Sequence, residues 1–130
     1  MKTLVLIDSD ALTRALIAQC LAGQQWRVLE AEDGEQAIEA INTGENRLVL
    51  DAVICDIRMP KINGIEAIDY FQREYPHVPL VILTGYPETE MAVSFLRKGV
   101  ADYLVKPVDA ERLRDAVEKA MERRHVAWAA

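Results

Sequence analysis

The sequence predicts an α/β fold, a doubly wound sheet of five parallel strands with helices on both faces. Two observations carry this. Short apolar runs alternate with amphipathic helical patterns along the whole chain. Two of those runs, Leu4-Val5-Leu6-Ile7 and Leu80-Val81-Ile82-Leu83, are unbroken aliphatic stretches. Strands alternating with helices, without long linkers, give a parallel sheet reached by right-handed crossovers. A strand covered on both faces has no polar side, so it reads as a continuous aliphatic run rather than an alternating one.

The strand-like runs fall at about 3–7, 26–31, 49–55, 79–84 and 101–105, and the helical patterns at about 10–22, 34–42, 63–75, 87–98 and 109–123. The last helix is the clearest, because Leu113, Ala116, Val117, Ala120 and Met121 form one apolar stripe. Asp109 is placed to cap its start. Gly99, just after Arg97 and Lys98, ends the preceding helix with a breaker and favourable cations, and Pro87 suits that helix's first turn. Residues 43–48 read as a polar loop. Residues 1–124 are expected to form one domain, and 125–130 a frayed tail or the start of a linker.

A chain of 130 residues suits a single domain with one core. Net charge is −6, so the chain offers no basic footprint for a nucleic-acid backbone. No apolar stretch reaches the length of a membrane span, and the N-terminus lacks a signal-peptide pattern. Cys20 and Cys55 are isolated, without metal spacing, and read as buried reduced thiols. The expected compartment is the cytoplasm.

The strand ends carry the chemistry. Val53-Ile54-Cys55-Asp56 stops at a carboxylate, and Ile57-Arg58-Met59-Pro60-Lys61-Ile62-Asn63-Gly64 follows as a turn. Asp8 and Asp10 follow the first strand, Thr84 ends the fourth and Lys106 the fifth. Open α/β sheets bind ligands at the carboxyl edge of their strands. Clustered carboxylates suit a hard divalent cation such as Mg²⁺. A hydroxyl and an ammonium suit phosphoryl oxygens, and a carboxylate can act as nucleophile toward phosphorus.

From Leu4 to about Arg124 the chain resembles the receiver domain of a two-component response regulator. The matching features are the acids after the first strand, Asp56 with Met59-Pro60 and Asn63-Gly64, then Thr84-Gly85, Tyr103 and Lys106-Pro107. The resemblance implies a flavodoxin-like (βα)5 fold with strand order 2-1-3-4-5. It implies that Asp56 accepts a phosphoryl group from the phosphohistidine of a sensor histidine kinase or phosphotransfer protein. Asp8, Asp10, Asp56 and the backbone carbonyl of Arg58 would hold Mg²⁺ or Mn²⁺. Thr84 and Lys106 would contact the phosphoryl group. Movement of Thr84 would let Tyr103 swing inward and reshape the face built from the fourth helix, last strand and last helix. A cis Lys106-Pro107 bond is also implied.

One position departs from the family pattern. Two adjacent acids are usual after the first strand, and here Asp8-Ser9-Asp10 places Ser9 where the second is expected. Asp10 either substitutes as a ligand or simply caps the following helix, and Mg²⁺ binding is expected to be retained but weakened. Arg58 and Tyr86, two places after Asp56 and Thr84, flank the path of an attacking water and should slow hydrolysis of an aspartyl phosphate. His77 and His125 fall far from the site.

Two alternatives stand beside the switch. Asp8-Ser9-Asp10 also resembles the nucleophile loop of haloacid-dehalogenase-like phosphohydrolases, with Asp8 as nucleophile, although that reading leaves the Asp56 run unexplained. A receiver-like fold without phosphorylation would serve only as a protein-binding module. On the main reading the chain is no enzyme beyond its own phosphoryl transfer and dephosphorylation. Its output would come from a downstream effector protein or a fused output domain, with a phosphorylation-dependent homodimer through the face of Arg97, Lys98, Asp102 and Tyr103.

Overall fold

A computed structural model describes residues 2–23, 26–42, 50–57, 62–85 and 89–129. The elements are β1 (Thr3–Ile7), α1 (Ala11–Ala22), β2 (Arg27–Ala31), α2 (Gly34–Asn42), β3 (Leu50–Asp56), α3 (Ile62–Glu74), β4 (Leu80–Thr84), α4 (Thr89–Arg97), β5 (Asp102–Val105) and α5 (Ala110–Ala129). The strands form one parallel sheet in the order β2-β1-β3-β4-β5. This is the doubly wound flavodoxin-like topology that the sequence predicts.

Alternation along the central strands divides the interior in two. Val5, Ile7, Val53, Cys55, Leu80 and Ile82 face one layer, where they meet Ile41 of α2, Ile68 and Phe71 of α3 and Phe95 of α4. Leu4, Leu6, Ala52, Ile54, Val81 and Leu83 face the other, against Ile17 and Leu21 of α1 and Leu113, Val117 and Met121 of α5. Every residue of β1 and β4 is buried as a result. The edge strand β2 is covered less completely and leaves Arg27 and Glu30 exposed.

Local signals close the helices as expected. Asp109 Oδ1 accepts from the Arg112 N–H at 2.8 Å. Gly99, with φ of 97°, ends α4 in the left-handed region that favours glycine. Two expectations change. α5 runs past Arg124 to Ala129, so 125–129 are helical rather than frayed; no Gly or Pro interrupts the chain after Asp109 to stop it. Cys20 is half-buried rather than buried, because α1 is covered on one flank only. Pro87 and the loop 43–48 lie outside the described residues.

Candidate functional site

Strand register brings the sequence-predicted groups to one edge of the sheet, within two residues of a common level. Ile7 pairs with Cys55, so Asp8 and Asp56, each the next residue, emerge side by side from neighbouring strands. Asp56 pairs with Leu83, Thr84 with Val105, and Lys106 is the next residue. Backbone hydrogen bonds carry the ladder just past the strand ends: Asp8 N–H donates to Ala31 O at 3.0 Å, Ile57 N–H to Leu83 O at 2.8 Å and Lys106 N–H to Thr84 O at 2.7 Å. The Lys106-Pro107 peptide is cis.

The side chains converge on one ammonium. Lys106 Nζ lies 2.7 Å from Asp8 Oδ2 and 3.2 Å from Asp56 Oδ2. Asp8 is fully buried and Asp56 is 8% exposed. Buried carboxylates are costly unless compensated. One positive charge between two negative ones leaves the trio with a formal excess of one negative charge, a setting that favours a further cation. Asp8 Oδ1 accepts from the Asp10 N–H at 2.9 Å, which fixes the carboxylate from its other side.

Asp10 has a different post. It is the N-cap of α1, its Oδ2 accepting from the Thr13 backbone N–H at 3.1 Å and from the Thr13 hydroxyl. Ser9, the departure from the family pattern, is exposed. Among the described residues no group of three or more His, Cys, Asp or Glu side chains is arranged to hold a metal ion. The donor set that remains, two adjacent carboxylates, still fits Mg²⁺, which is commonly held by one or two carboxylates and retains several waters. Arg58 and Tyr86 lie outside the described residues. His77 is exposed in the α3–β4 connection, at the edge opposite Asp56.

Thr84 is buried at the end of β4. By strand alternation it shares a face with Ile82, and Tyr103 pairs with Ile82 on the adjacent strand. Thr84 and Tyr103 are therefore diagonal neighbours on the α3/α4 side. Tyr103 is half-buried and stacks on Phe95 of α4. Cys55 sits behind the acids in the same layer. Burial first, then the Asp56 and Asp8 carboxylates, push its thiol up to about 12. Its sulfur donates weakly to the Asp56 carbonyl at 3.7 Å.

Sequence reasoning missed Arg14. Its Nη1 donates to the Asp8 carbonyl at 2.7 Å, and its Nε pairs with Glu30 of β2 at 3.3 Å. The available signal was that Arg14 is the one charged residue in the twelve of α1.

A family model for the response regulator receiver domain matches residues 4–118. This chain belongs to the response regulator receiver family. The receiver is 32% identical over 123 residues to the transcriptional regulatory protein ZraR of Escherichia coli O157:H7, covering 95% of this chain and 27% of that protein. It is 30% identical to a cyclic di-GMP phosphodiesterase of Thermotoga maritima, across 94% of this chain and 32% of the other. Among solved structures, a response regulator receiver domain protein from Clostridium thermocellum superposes with a TM-score of 0.86 at 28% identity, covering 98% of this chain and 99% of that one. The receiver thus spans 27% and 32% of the length of these two sequence relatives. Family membership removes support from the phosphohydrolase alternative. Among the described residues, no helix is long and apolar enough to cross a membrane.

Proposed function

We propose that this receiver is a phosphorylation-driven signalling switch with Asp56 as its phosphoacceptor. The observation that carries the reading is the Lys106 ammonium held between the Asp8 and Asp56 carboxylates at the carboxyl edge of the sheet. An Asp56 oxygen attacks phosphorus, the P–N bond to the donor imidazole of a sensor kinase or phosphotransfer protein breaks, and its electron pair returns to that nitrogen. Lys106 stands ready to meet the negative charge on the transferred oxygens, and the Thr84 hydroxyl to donate to them. Asp8 and Asp56 would hold Mg²⁺ or Mn²⁺, with the Arg58 carbonyl as the family's further donor and Asp10 as the contested one. The metal would neutralise phosphoryl charge during transfer.

The shared face of Thr84 and Tyr103 supports a relay from the site to the α4–β5–α5 surface. That surface exposes Val93 and Leu96 of α4 and Val105 of β5 beside Arg97 and Lys98, which suits pairing with a second phosphorylated copy. The relatives named as a transcriptional regulator and as a phosphodiesterase suggest that such receivers serve different outputs, through a fused domain or a separate effector.

The test is intact mass after incubation with Mg²⁺ and acetyl phosphate, for wild type and Asp56→Asn. A single phosphoryl adduct that needs Mg²⁺ and is absent from the variant is expected. An adduct of equal yield on Asp56→Asn would overturn the assignment. No adduct from either acetyl phosphate or a phosphorylated donor protein would leave a binding module without phosphorylation.

A further inference from the structure

We propose that Arg14 is a positioning residue that holds the β1–α1 turn so that the Asp8 carboxylate faces Lys106 and Asp56. The inference rests on the phosphoacceptor reading for its consequence, though not for its geometry. Four hydrogen bonds fix Asp8. Its N–H donates to Ala31 O, its Oδ1 accepts from the Asp10 N–H, and its Oδ2 accepts from Lys106 Nζ. The fourth is the Arg14 Nη1 contact to the Asp8 carbonyl at 2.7 Å, which reaches back from α1 over the turn itself.

That contact is charge-assisted and short, and the Arg14 side chain is 17% exposed. Its second contact, Nε to Glu30 Oε1 at 3.3 Å, ties the same guanidinium to β2. One planar group thus braces β2, the end of β1 and the start of α1 together. A lysine would keep the charge but could not serve both partners through a rigid fork. Glu30 offsets the charge of Arg14, so what Arg14 adds at the acid pair is orientation rather than potential. The turn it braces contains Ser9, the position that lacks the family's usual second acid, so the residue next to Asp8 in sequence supplies no carboxylate.

The test compares wild type, Arg14→Lys, Arg14→Ala and the packing control Ile17→Val, in two readouts. One is hydrogen exchange of the Asp10 amide without metal or phosphodonor, which reads the turn directly. The other is the Mg²⁺ dissociation constant from amide shifts on titration. Both Arg14 variants should speed Asp10 exchange about tenfold and weaken Mg²⁺ binding severalfold, with phosphorylation recovering at higher Mg²⁺. Ile17→Val should move neither. Arg14→Lys matching wild type in both readouts would overturn the proposal, and so would Ile17→Val matching Arg14→Ala. If Asp56 proved not to accept a phosphoryl group, the exchange result would still stand, so the two failures are separable.

Discussion

The Tyr103 ring stacks on that of Phe95, with centroids 6.4 Å apart and planes 24° apart. Phe95 is 3% exposed and belongs to the core, whereas Tyr103 is half-buried. An aromatic pair of this kind contributes about 0.5–1.5 kcal/mol beyond its buried area. Any inward swing of Tyr103 must give up that contact. Phe95→Leu keeps most of the apolar volume and removes the ring. Tyr103 should then populate a second rotamer without phosphorylation, seen as averaged side-chain couplings by NMR. Unchanged couplings would show that the stack does not hold the switch.

Lys106 makes opposite demands on two properties. As the cation between Asp8 and Asp56 it would compete with a metal ion for the same carboxylates, yet it would also stabilise a phosphoryl group. Lys106→Met should therefore tighten Mg²⁺ binding a few-fold while slowing acetyl-phosphate-driven phosphorylation by about tenfold or more. Calorimetric titration and intact mass read the two separately. A loss of both would mean that the lysine mainly maintains the shape of the site.

Asp10 is tested by keeping its cap while removing its charge. Asp10→Ala should cost about 1 kcal/mol of stability, whereas Asp10→Ser, which can still cap, should cost only a few tenths. If capping is its whole role, Mg²⁺ affinity should be nearly unchanged in the serine variant. Weakening of about tenfold there, at constant melting temperature, would make Asp10 a ligand as well.

How far these placements were legible in the sequence depends on how local each signal is. Leu4 to Ile7 and Leu80 to Leu83 declared themselves because two-sided burial leaves no polar position. The placement of Asp56, Thr84 and Lys106 was legible because each stands at or just after the end of an apolar run. Asp10 was ambiguous on physical grounds, since a cap and a ligand both call for a carboxylate at the same place. Arg14 was invisible because its partner is a backbone carbonyl across a turn, and a carbonyl carries no residue-type signature.

The two thiols should behave differently. Half-buried Cys20 should react with a thiol reagent at about pH 8, and Cys55 only after unfolding. Cys55 also has a pH consequence. Its thiol is raised from 9.0 to about 12 in the fold, so the unfolded chain loses that proton first. The stability it contributes is intact below about pH 9 and is lost as pH rises toward about 12. Denaturation midpoints should fall less steeply above about pH 9 in Cys55→Ala than in wild type. Parallel slopes would refute the linkage.

Because strand register sets Asp8 level with Asp56, and Thr84 and Lys106 one and two residues further along, the site is a matter of phase as much as of composition. Inserting one residue within β1 or β3 would turn the following carboxylate to the opposite face of the sheet, although every residue type of the site would still be present. Insertions at the other edge, where His77 lies, would leave the phase untouched. Length variation in a set of functioning relatives should accordingly be confined to that far edge and to the loops, with the count from each strand's first buried residue to its terminal polar group held constant.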